Sequence, residues 1–344
     1  MQNESAKMGE NVGEWPFVSV FVAARNEEHN LEACLRSLQN QPYPGNFEVW
    51  IGDDHSTDDT ALIGNAFSQR DSRFHFLSVP ATTSHVKGKA LALACMAKEA
   101  KGELFLVCDA DMTMPPNWMQ AMVSGMQREN VDMVNGTTAT KGDTVFSALQ
   151  AIDWLIPQAT FSWLSRFDIT YTAMGNNMGI TRKAYEATGG YFELPFSLTE
   201  DFELFQKARS KGFRLRHLYQ TDVFGISAPQ KKPSDWLHQH VRWMVGFDQL
   251  PFRQQWVFYV QLLFYPVLLL SFFSGATVLR DSLLMMWGGK FLYNSFLLAG
   301  IRQFHLLIWL PLYEILFWPA YITCWVRYRF STEIHWKGRS WKST

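Results

Sequence analysis

A chain of 344 residues can form one large domain with additional segments, and its formal net charge of −1 gives no reason to expect a nucleic-acid partner. Its cysteines lack CxxC spacing, so the sequence supports neither a disulfide framework nor a zinc site, and we predict reduced core thiols. These are Cys34, Cys95, Cys108 and Cys324. Residues 1–15 are polar, without a basic segment followed by an apolar one, and we expect a polar tail with no secretory signal.

From Pro16 to about Leu218, short apolar runs alternate with amphipathic segments. This pattern predicts an α/β fold with a mainly parallel sheet covered by helices on both faces. The first four strands are predicted over Phe17–Ala24, Phe47–Ile51, Phe74–Val79 and Leu104–Cys108. Asn26 is predicted to cap the first helix.

The acidic triplet Asp109-Ala110-Asp111 directly follows the fourth predicted strand. Since side chains along a strand alternate with a period of two, Asp109 and Asp111 are predicted to point to the same side. Ligands of open α/β sheets bind beyond the C-terminal strand ends, and carboxylate oxygens there suit Mg²⁺ or Mn²⁺. A solvated acidic turn is the alternative for an isolated triplet.

Further polar motifs stand at predicted strand ends or on the helices that follow. They are Asp53-Asp54, Lys87-Gly88-Lys89, Thr199-Glu200-Asp201 and Gln239-His240-Val241-Arg242-Trp243. In this order the motifs resemble those of a family-2 inverting glycosyltransferase of the glycosyltransferase A fold, over roughly residues 16–250. The resemblance implies a nucleotide-sugar-binding catalytic domain and leaves the sugars open.

The resemblance also implies site roles. Asp54 would accept the imide N–H of uracil, Asp109 would contact the ribose or a metal-bound water, and Asp111 would coordinate the metal. Asp201 would be the catalytic base, with Glu200 orienting it. His55 departs from the family pattern, in which glycine is common at this position.

Ala23 and Lys89 also belong to the predicted donor site. Ala23 lies at the end of the first strand, and Lys89 stands at the start of a helix, where its ammonium could bind the nucleotide. Gln239, Arg242 and Trp243 share one face of a predicted helix, where Arg242 would bind the diphosphate and the other two the acceptor. An interfacial helix at a membrane surface is the competing interpretation.

Apolar segments follow the catalytic region. Trp256–Leu279 is 24 residues long without a charge, and Phe304–Val326 carries only the acid Glu314. Both are long enough to cross a bilayer. Ser282–Ile301, interrupted by Gly288-Gly289-Lys290, is the least certain span and is predicted to lie at the interface or to re-enter. Buried helices of a soluble domain are the alternative.

We therefore predict a polar tail (1–15), a catalytic domain (16–250), a membrane region with two or three apolar segments (251–326) and a basic cytoplasmic tail (327–344). The predicted protein is integral to the cytoplasmic membrane, with its catalytic domain facing the cytoplasm. The tail's basic residues are Arg327, Arg329, Lys337, Arg339 and Lys342.

The predicted function is metal-dependent, inverting transfer of a sugar from a nucleotide diphosphate sugar, with UDP-sugar preferred, to a hydroxyl of a lipid-linked or membrane-presented acceptor. This would serve cell-envelope polysaccharide or glycolipid synthesis. A processive polysaccharide synthase is one alternative. A catalytically silent membrane scaffold that retains the fold is the other.

Overall fold

A computed structural model describes residues 14–81, 85–195, 197–331, 333–336 and 339–342. The chain divides into two compact units, the first comprising Met1–Ala139 with Gln158–Ala228 and the second Thr140–Pro157 with Pro229–Thr344. Residues 1–13 of the predicted polar tail lie outside the described residues. Residues 229–250 group with the C-terminal helices by contacts, whereas the sequence assigns them to the catalytic domain, and that functional boundary stays a prediction.

The first unit is built on a seven-stranded sheet with the order β3-β2-β1-β4-β8-β6-β9, and β5, β10 and β7 form a smaller sheet. The strands are β1 (Val18–Ala24), β2 (Phe47–Asp53), β3 (Phe74–Ser78), β4 (Leu104–Asp109), β5 (Met112–Thr113), β6 (Met133–Asn135), β7 (Thr137–Thr140), β8 (Asn177–Thr181), β9 (Leu215–His217) and β10 (Phe224–Ser227). β8 is antiparallel to β4 and β6, and the other pairings in the large sheet are parallel. The predicted mainly parallel α/β fold is confirmed.

Helices cover both faces of this sheet. They are α1 (Leu31–Gln39), α2 (Thr60–Arg70), α3 (Lys89–Glu99), α4 (Trp118–Glu129), α5 (Val145–Ser165), α6 (Arg182–Ala187) and α7 (Glu200–Ser210), with α5 divided between the two units. Alternate residues of β1 show why two layers form: Val20 packs in the core that holds α1 and α4, while Phe21 packs in the core that holds α3 and α7. Burial on both faces fixes the register of the strands.

His217, the last residue of β9, is buried, and its Nε2 lies 2.9 Å from the carbonyl oxygen of Thr172. Burial lowers its pKa to about 4, although the hydrogen bond to Thr172 acts in the opposite direction. The unfolded chain, with an ordinary histidine pKa of 6.5, therefore binds a proton that the folded protein does not. The stabilisation that a neutral His217 contributes is complete above pH 6.5 and is lost as the pH falls toward 4.

We expect the free energy of unfolding to fall by about 2 kcal/mol between pH 7.5 and pH 5 on account of His217 alone. His217→Gln keeps a donor for Thr172 but removes the titrating group. Denaturant titrations at several pH values should therefore give a shallower pH dependence for His217→Gln than for the wild type. Equal slopes would show that His217 takes up its proton in the folded protein.

The second unit consists of helices followed by a hairpin. These elements are α8 (Pro233–Asp248), α9 (Phe252–Ser271), α10 (Thr277–Gly300), a 3₁₀ helix (Phe304–Trp309), α11 (Leu310–Phe330), and the paired strands β11 (Glu333–Trp336) and β12 (Arg339–Lys342). Arg327 and Arg329 of the predicted basic tail fall in the last turn of α11. Residues 327–330 are therefore helical, and the chain leaves α11 only after Phe330.

Within the described residues, one helix, Phe304–Phe330, is long and apolar enough to cross a membrane by length and composition. It contains the predicted span Phe304–Val326. The predicted span Trp256–Leu279 is wrong as a single helix, because α9 ends at Ser271 and Gly275 turns the chain with a φ of +67° before α10 begins. Gly275 adopts this left-handed conformation without the steric cost that a β-carbon would add.

α10 runs continuously through Gly288-Gly289-Lys290, so these residues do not break the helix. The interfacial or re-entrant position of Ser282–Ile301 stays a prediction. Lys290 is not a lone charge, since its Nζ lies 2.6 Å from Glu314 Oε2 on α11. Tyr265 donates to the same carboxylate, and Asn294 donates to its other oxygen at 2.9 Å. This polar cluster joins α9, α10 and α11, so the lysine can lie within a helix among apolar surroundings.

Candidate functional site

The candidate site lies in the first unit, at the edge where the parallel strands end. Asp109 closes β4, and Ala23 of β1 lies beside it in the register, with Gly52 of β2 on its other side. Asp54 follows β2 directly, and its main-chain N–H donates to Ala24 O at 2.9 Å. The structure therefore brings the predicted strand-end residues to neighbouring positions at one edge of the sheet.

Lys89 begins α3 and is the cationic centre of this edge. Its Nζ lies 2.6 Å from Asp109 Oδ1 and 3.4 Å from Glu200 Oε1, and it donates to the carbonyl oxygen of Gly175 at 3.2 Å. Burial alone lowers the pKa of Lys89, but Asp109, Glu200 and Asp201 outweigh it and hold the pKa above its usual value. Lys89 is therefore a fixed positive charge that links two of the predicted motifs.

Asp201 is held by main-chain donors at the start of α7. Its Oδ2 accepts the N–H of Gly175 at 2.6 Å, and its Oδ1 accepts the N–H of Phe202 at 2.8 Å. A β-carbon at Gly175 would lie 2.9 Å from the β-carbon of Asp201, so only glycine permits this approach. Two N–H donors at a helix N-terminus therefore hold both carboxylate oxygens in fixed positions. Sequence reasoning placed Gly175 in a turn-rich loop but missed this contact.

Asp111 lies just beyond Asp109 and is held by β10. The hydroxyl of Ser227 donates to Asp111 Oδ2 at 3.2 Å, and the main-chain N–H of Ala228 donates to Asp111 O at 3.1 Å. Sequence reasoning missed Ser227, which the pairing of β5 with β10 brings to Asp111 across 116 residues. Only the folded sheet supplies this neighbour.

These residues fit a Mg²⁺-type or Mn²⁺-type ion. Asp109 and Asp111 offer carboxylate oxygens, and among the described residues no group of three or more His, Cys, Asp or Glu side chains is arranged to hold a metal. Mg²⁺ is usually bound through one or two carboxylates, with waters and substrate phosphates completing the shell. Two carboxylates at this edge match that mode and do not match a closed, all-protein metal cage.

Asp54 is buried beside Arg25, a residue that sequence reasoning did not assign to the site. Arg25 Nη1 donates to Asp54 O at 2.7 Å and lies 3.9 Å from its Oδ2. His55 adopts a φ of +58°, the left-handed region in which glycine carries no steric cost. The loop therefore takes the backbone shape that suits glycine, with histidine in its place.

Gln239, Arg242 and Trp243 lie on α8, within the second unit. The Trp243 ring packs edge-on against Trp154 at 5.3 Å and lies 4.6 Å from the ring of His240. All three predicted residues are partly buried. Their assignment to donor and acceptor binding stays a prediction.

A buried histidine–aspartate contact holds α8 within the second unit. His240 Nε2 lies 2.9 Å from Asp153 Oδ2, and His240 Nδ1 lies 2.9 Å from the carbonyl oxygen of Trp236. Asp153 also accepts from Trp236 Nε1 at 3.3 Å and from the hydroxyl of Tyr321. The network joins α5, α8 and α11 and was not predicted from the sequence.

Asp153→Ala should lower the free energy of unfolding by at least about 1–3 kcal/mol, because it removes the buried acceptor that Trp236, His240 and Tyr321 contact. Thermal unfolding of the purified protein measures this. The double variant Asp153→Leu with His240→Leu removes both members of the contact and should lose less stability than Asp153→Ala. A double variant that is less stable than the single one would contradict the stabilising role of the contact.

Comparisons with known proteins agree with this fold. Residues 19–189 match the model of a family described as Glycosyl transferase family 2. An N-acetylglucosaminyltransferase of Rhizobium meliloti is 29% identical over 239 residues, covering 66% of this chain and 55% of the relative. A beta-monoglucosyldiacylglycerol synthase of a Nostoc species is 30% identical over 251 residues, covering 68% of this chain and 49% of the relative. The chain thus spans about half the length of the curated relatives it matches.

Among solved structures, the chain is similar to a mannosyltransferase from Pyrobaculum calidifontis in complex with GDP-Man and Mn²⁺. The TM-score is 0.57 at 19% sequence identity, and the match covers 92% of this chain and 87% of that one. At this identity the likeness bears on the fold alone. The family match over β1 to α6 shows that residues 19–189 form a glycosyl transferase family 2 domain, a family whose members are transferase enzymes.

Proposed function

We propose that this protein transfers a sugar from a nucleotide diphosphate sugar to a hydroxyl of a lipid-linked or membrane-presented acceptor. The observation that carries the proposal is the cluster around Lys89, which joins Asp109, Glu200 and, through Gly175, Asp201. The cluster combines a fixed cation with a carboxylate whose two oxygens are held by main-chain donors. Sugar transfer from a diphosphate needs both features, because one substrate leaves as an anion and the other gives up a proton.

For the donor, we assign the nucleotide to Ala23, Asp54, Lys89 and Asp109, with Arg242 on the diphosphate. The burial of Asp54 behind Arg25 supports a fixed acceptor for an N–H of the base, and this favours uracil and hence a UDP-sugar. Lys89 would attract the phosphates from its place at the N-terminus of α3.

For the chemistry, we assign Asp201 as the base that takes the proton of the acceptor hydroxyl, with Glu200 orienting the site. A base on the face of the sugar opposite the diphosphate gives inversion at the anomeric carbon. Asp201 suits this role because two N–H groups hold both carboxylate oxygens in fixed directions. Glu200 contacts Lys89 and helps to fix the cation between the two motifs.

Asp111, together with Asp109, is the proposed site for Mg²⁺ or Mn²⁺. Such an ion supplies positive charge that offsets the charge of the departing diphosphate. Ser227 orients Asp111 by donating to one of its oxygens. Asp109 is the last residue of β4, and its Oδ1 lies 2.6 Å from Lys89 Nζ.

For the acceptor, we propose a membrane lipid or lipid-linked sugar, bound by Gln239 and Trp243. Support comes from the helix Phe304–Phe330, which is apolar enough to enter a bilayer, and from the relative named as a monoglucosyldiacylglycerol synthase. Side chains exposed on the helices of the second unit, including Leu263, Leu270 and Phe296, are apolar. We propose attachment to the cytoplasmic membrane with the first unit on the cytoplasmic side.

An activity screen tests the proposal. The full chain is incubated with UDP-glucose, UDP-N-acetylglucosamine, UDP-galactose or GDP-mannose and with a membrane lipid extract, and the products are identified by mass spectrometry. Transfer of one sugar to a lipid is the expected result. Long polymers would favour a processive synthase instead, and the absence of both product and free nucleotide with every donor would contradict the proposal.

A further inference from the structure

Tyr191 is a buried phenol beside the candidate site that none of the roles above uses. It lies in a 3₁₀ helix (Tyr191–Glu193), is 3% exposed, and its hydroxyl makes no hydrogen bond in the part of the chain that the structure describes. A buried hydroxyl without a partner costs free energy, so natural proteins rarely keep one without a reason.

The loop holds this phenol firmly in place. Gly190 adopts a φ of +63°, and a β-carbon there would lie 2.8 Å from the Tyr185 ring. The N–H of Tyr191 donates to the hydroxyl of Tyr185 at 3.2 Å, and the two rings pack with centroids 5.7 Å apart. The orientation of Tyr191 therefore follows from the backbone and its neighbour, and no contact of its own hydroxyl is needed to fix it.

Tyr191 and Glu200 line the same small cavity, with room for about one water-sized group. The rest of the lining includes the apolar residues Val86, Ala90 and Leu194. Burial raises the pKa of Tyr191 well above its usual value, and Glu200, Tyr185, Asp201 and Asp109 raise it further. The phenol is thus a neutral donor near three carboxylates.

These surroundings restrict the group that can accept from Tyr191. An anionic phosphate oxygen would be repelled by the carboxylates, whereas an alcohol hydroxyl is neutral and can accept from the phenol while donating to Glu200. We propose that Tyr191 is a substrate-binding residue that donates its hydroxyl proton in a hydrogen bond to one alcohol hydroxyl of a substrate. This inference rests on the proposed function, and the hydroxyl belongs either to the donor sugar or to the acceptor.

Tyr191→Phe tests the inference, because it removes the hydroxyl and keeps the ring. The free variant should unfold at a higher temperature than the wild type, since a buried polar group without a partner is gone. With substrates, the KM for one of them should rise roughly 3- to 10-fold, the value of one neutral hydrogen bond, with a smaller change in kcat.

Two measurements identify the source of the hydroxyl. If it belongs to the donor sugar, UDP-glucose raises the unfolding temperature of the wild type more than UDP does, and this difference is the UDP-sugar surplus. Tyr191→Phe should then lose the surplus and show the higher KM for UDP-glucose. If it belongs to the acceptor, the surplus is unchanged and the KM for the lipid acceptor rises. The other transferable UDP-sugars replace UDP-glucose if the activity screen selects one of them.

Tyr43→Phe is the matched control, because Tyr43 is a buried tyrosine of the opposite core layer whose hydroxyl donates to Pro16 O at 2.7 Å. It should lower the unfolding temperature and leave both KM values unchanged. The inference is overturned if Tyr191→Phe is less stable than the wild type, which indicates a structural water or another partner, or if both KM values and the UDP-sugar surplus stay as in the wild type. A wild-type chain without transfer contradicts the proposed function alone. In that case, loss of the UDP-sugar surplus in Tyr191→Phe supports the inference, and an unchanged surplus overturns it.

Discussion

Asp201→Asn is expected to lower the rate of sugar transfer by about 100- to 10,000-fold, the usual contribution of a general base, while donor affinity changes by no more than a few-fold. Asparagine has nearly the same shape but cannot take a proton from the acceptor. In the structure, both oxygens of Asp201 accept main-chain N–H groups, from Gly175 and Phe202. The amide can accept only one of these bonds, so the variant should also lose about 1–3 kcal/mol of stability.

The rate must therefore be measured below the unfolding temperature of the variant, with donor binding followed by calorimetry in the same buffer. Glu186→Gln is the control, because Glu186 is an exposed acid on α6 that contacts Arg182. It changes the net charge equally and should leave transfer unchanged. Turnover by a folded Asp201→Asn protein within a few-fold of the wild type would remove Asp201 from the role of base.

The sequence predicts which residues lie at the edge of the sheet, because local patterns determine where each strand ends. β2 and β4 are short apolar runs that end in aspartate, and parallel strands bring their carboxyl ends to one edge. This rule predicts that Asp54 and Asp109 lie at the same edge. The strand order, which puts Ala23 of β1 between β2 and β4, is known only from the folded sheet.

The contacts that complete the site depend on residues far apart in the chain. Ser227 reaches Asp111 through pairing of β10 with β5, and Gly175 reaches Asp201 through the turn before β8. No periodicity encodes such pairs. Asn26 shows a local failure: it adopts a φ of +53° and its side chain accepts the N–H of Thr57, so α1 begins only at Leu31 and the predicted cap is wrong.

In the second unit, composition predicts apolar helices but not where they end. Mean hydropathy is high on both sides of Gly275, so the sequence predicts one span there. In the structure, the chain turns at Gly275, which has a positive φ, and α9 and α10 are separate helices. For Lys290, hydropathy counts an unfavourable charge because it does not include the partner Glu314, which lies 24 residues away. Pairing within the folded unit removes the interruption that the sequence predicts.

Removal of the proposed metal ligand should have the second large effect. Asp111→Ala is expected to raise the Mg²⁺ or Mn²⁺ concentration needed for half-maximal transfer, and the KM for the donor, by at least about 10-fold, because the phosphate charge loses its main partner. Ser227→Ala keeps the carboxylate but removes the hydroxyl that donates to it, so its effect should be in the same direction and smaller.

Chelation distinguishes a metal site from a simple structural acid. Treatment of the wild type with EDTA should reproduce the loss seen for Asp111→Ala, and added Mg²⁺ or Mn²⁺ should restore the wild type fully and the variant only at high concentration. Circular dichroism of the variant shows whether the overall secondary structure is kept. If EDTA leaves transfer by the wild type unchanged, the acidic triplet holds no catalytic ion. The departing diphosphate must then be balanced by Lys89 and Arg242, and Asp109 serves to position the Lys89 ammonium that it contacts at 2.6 Å.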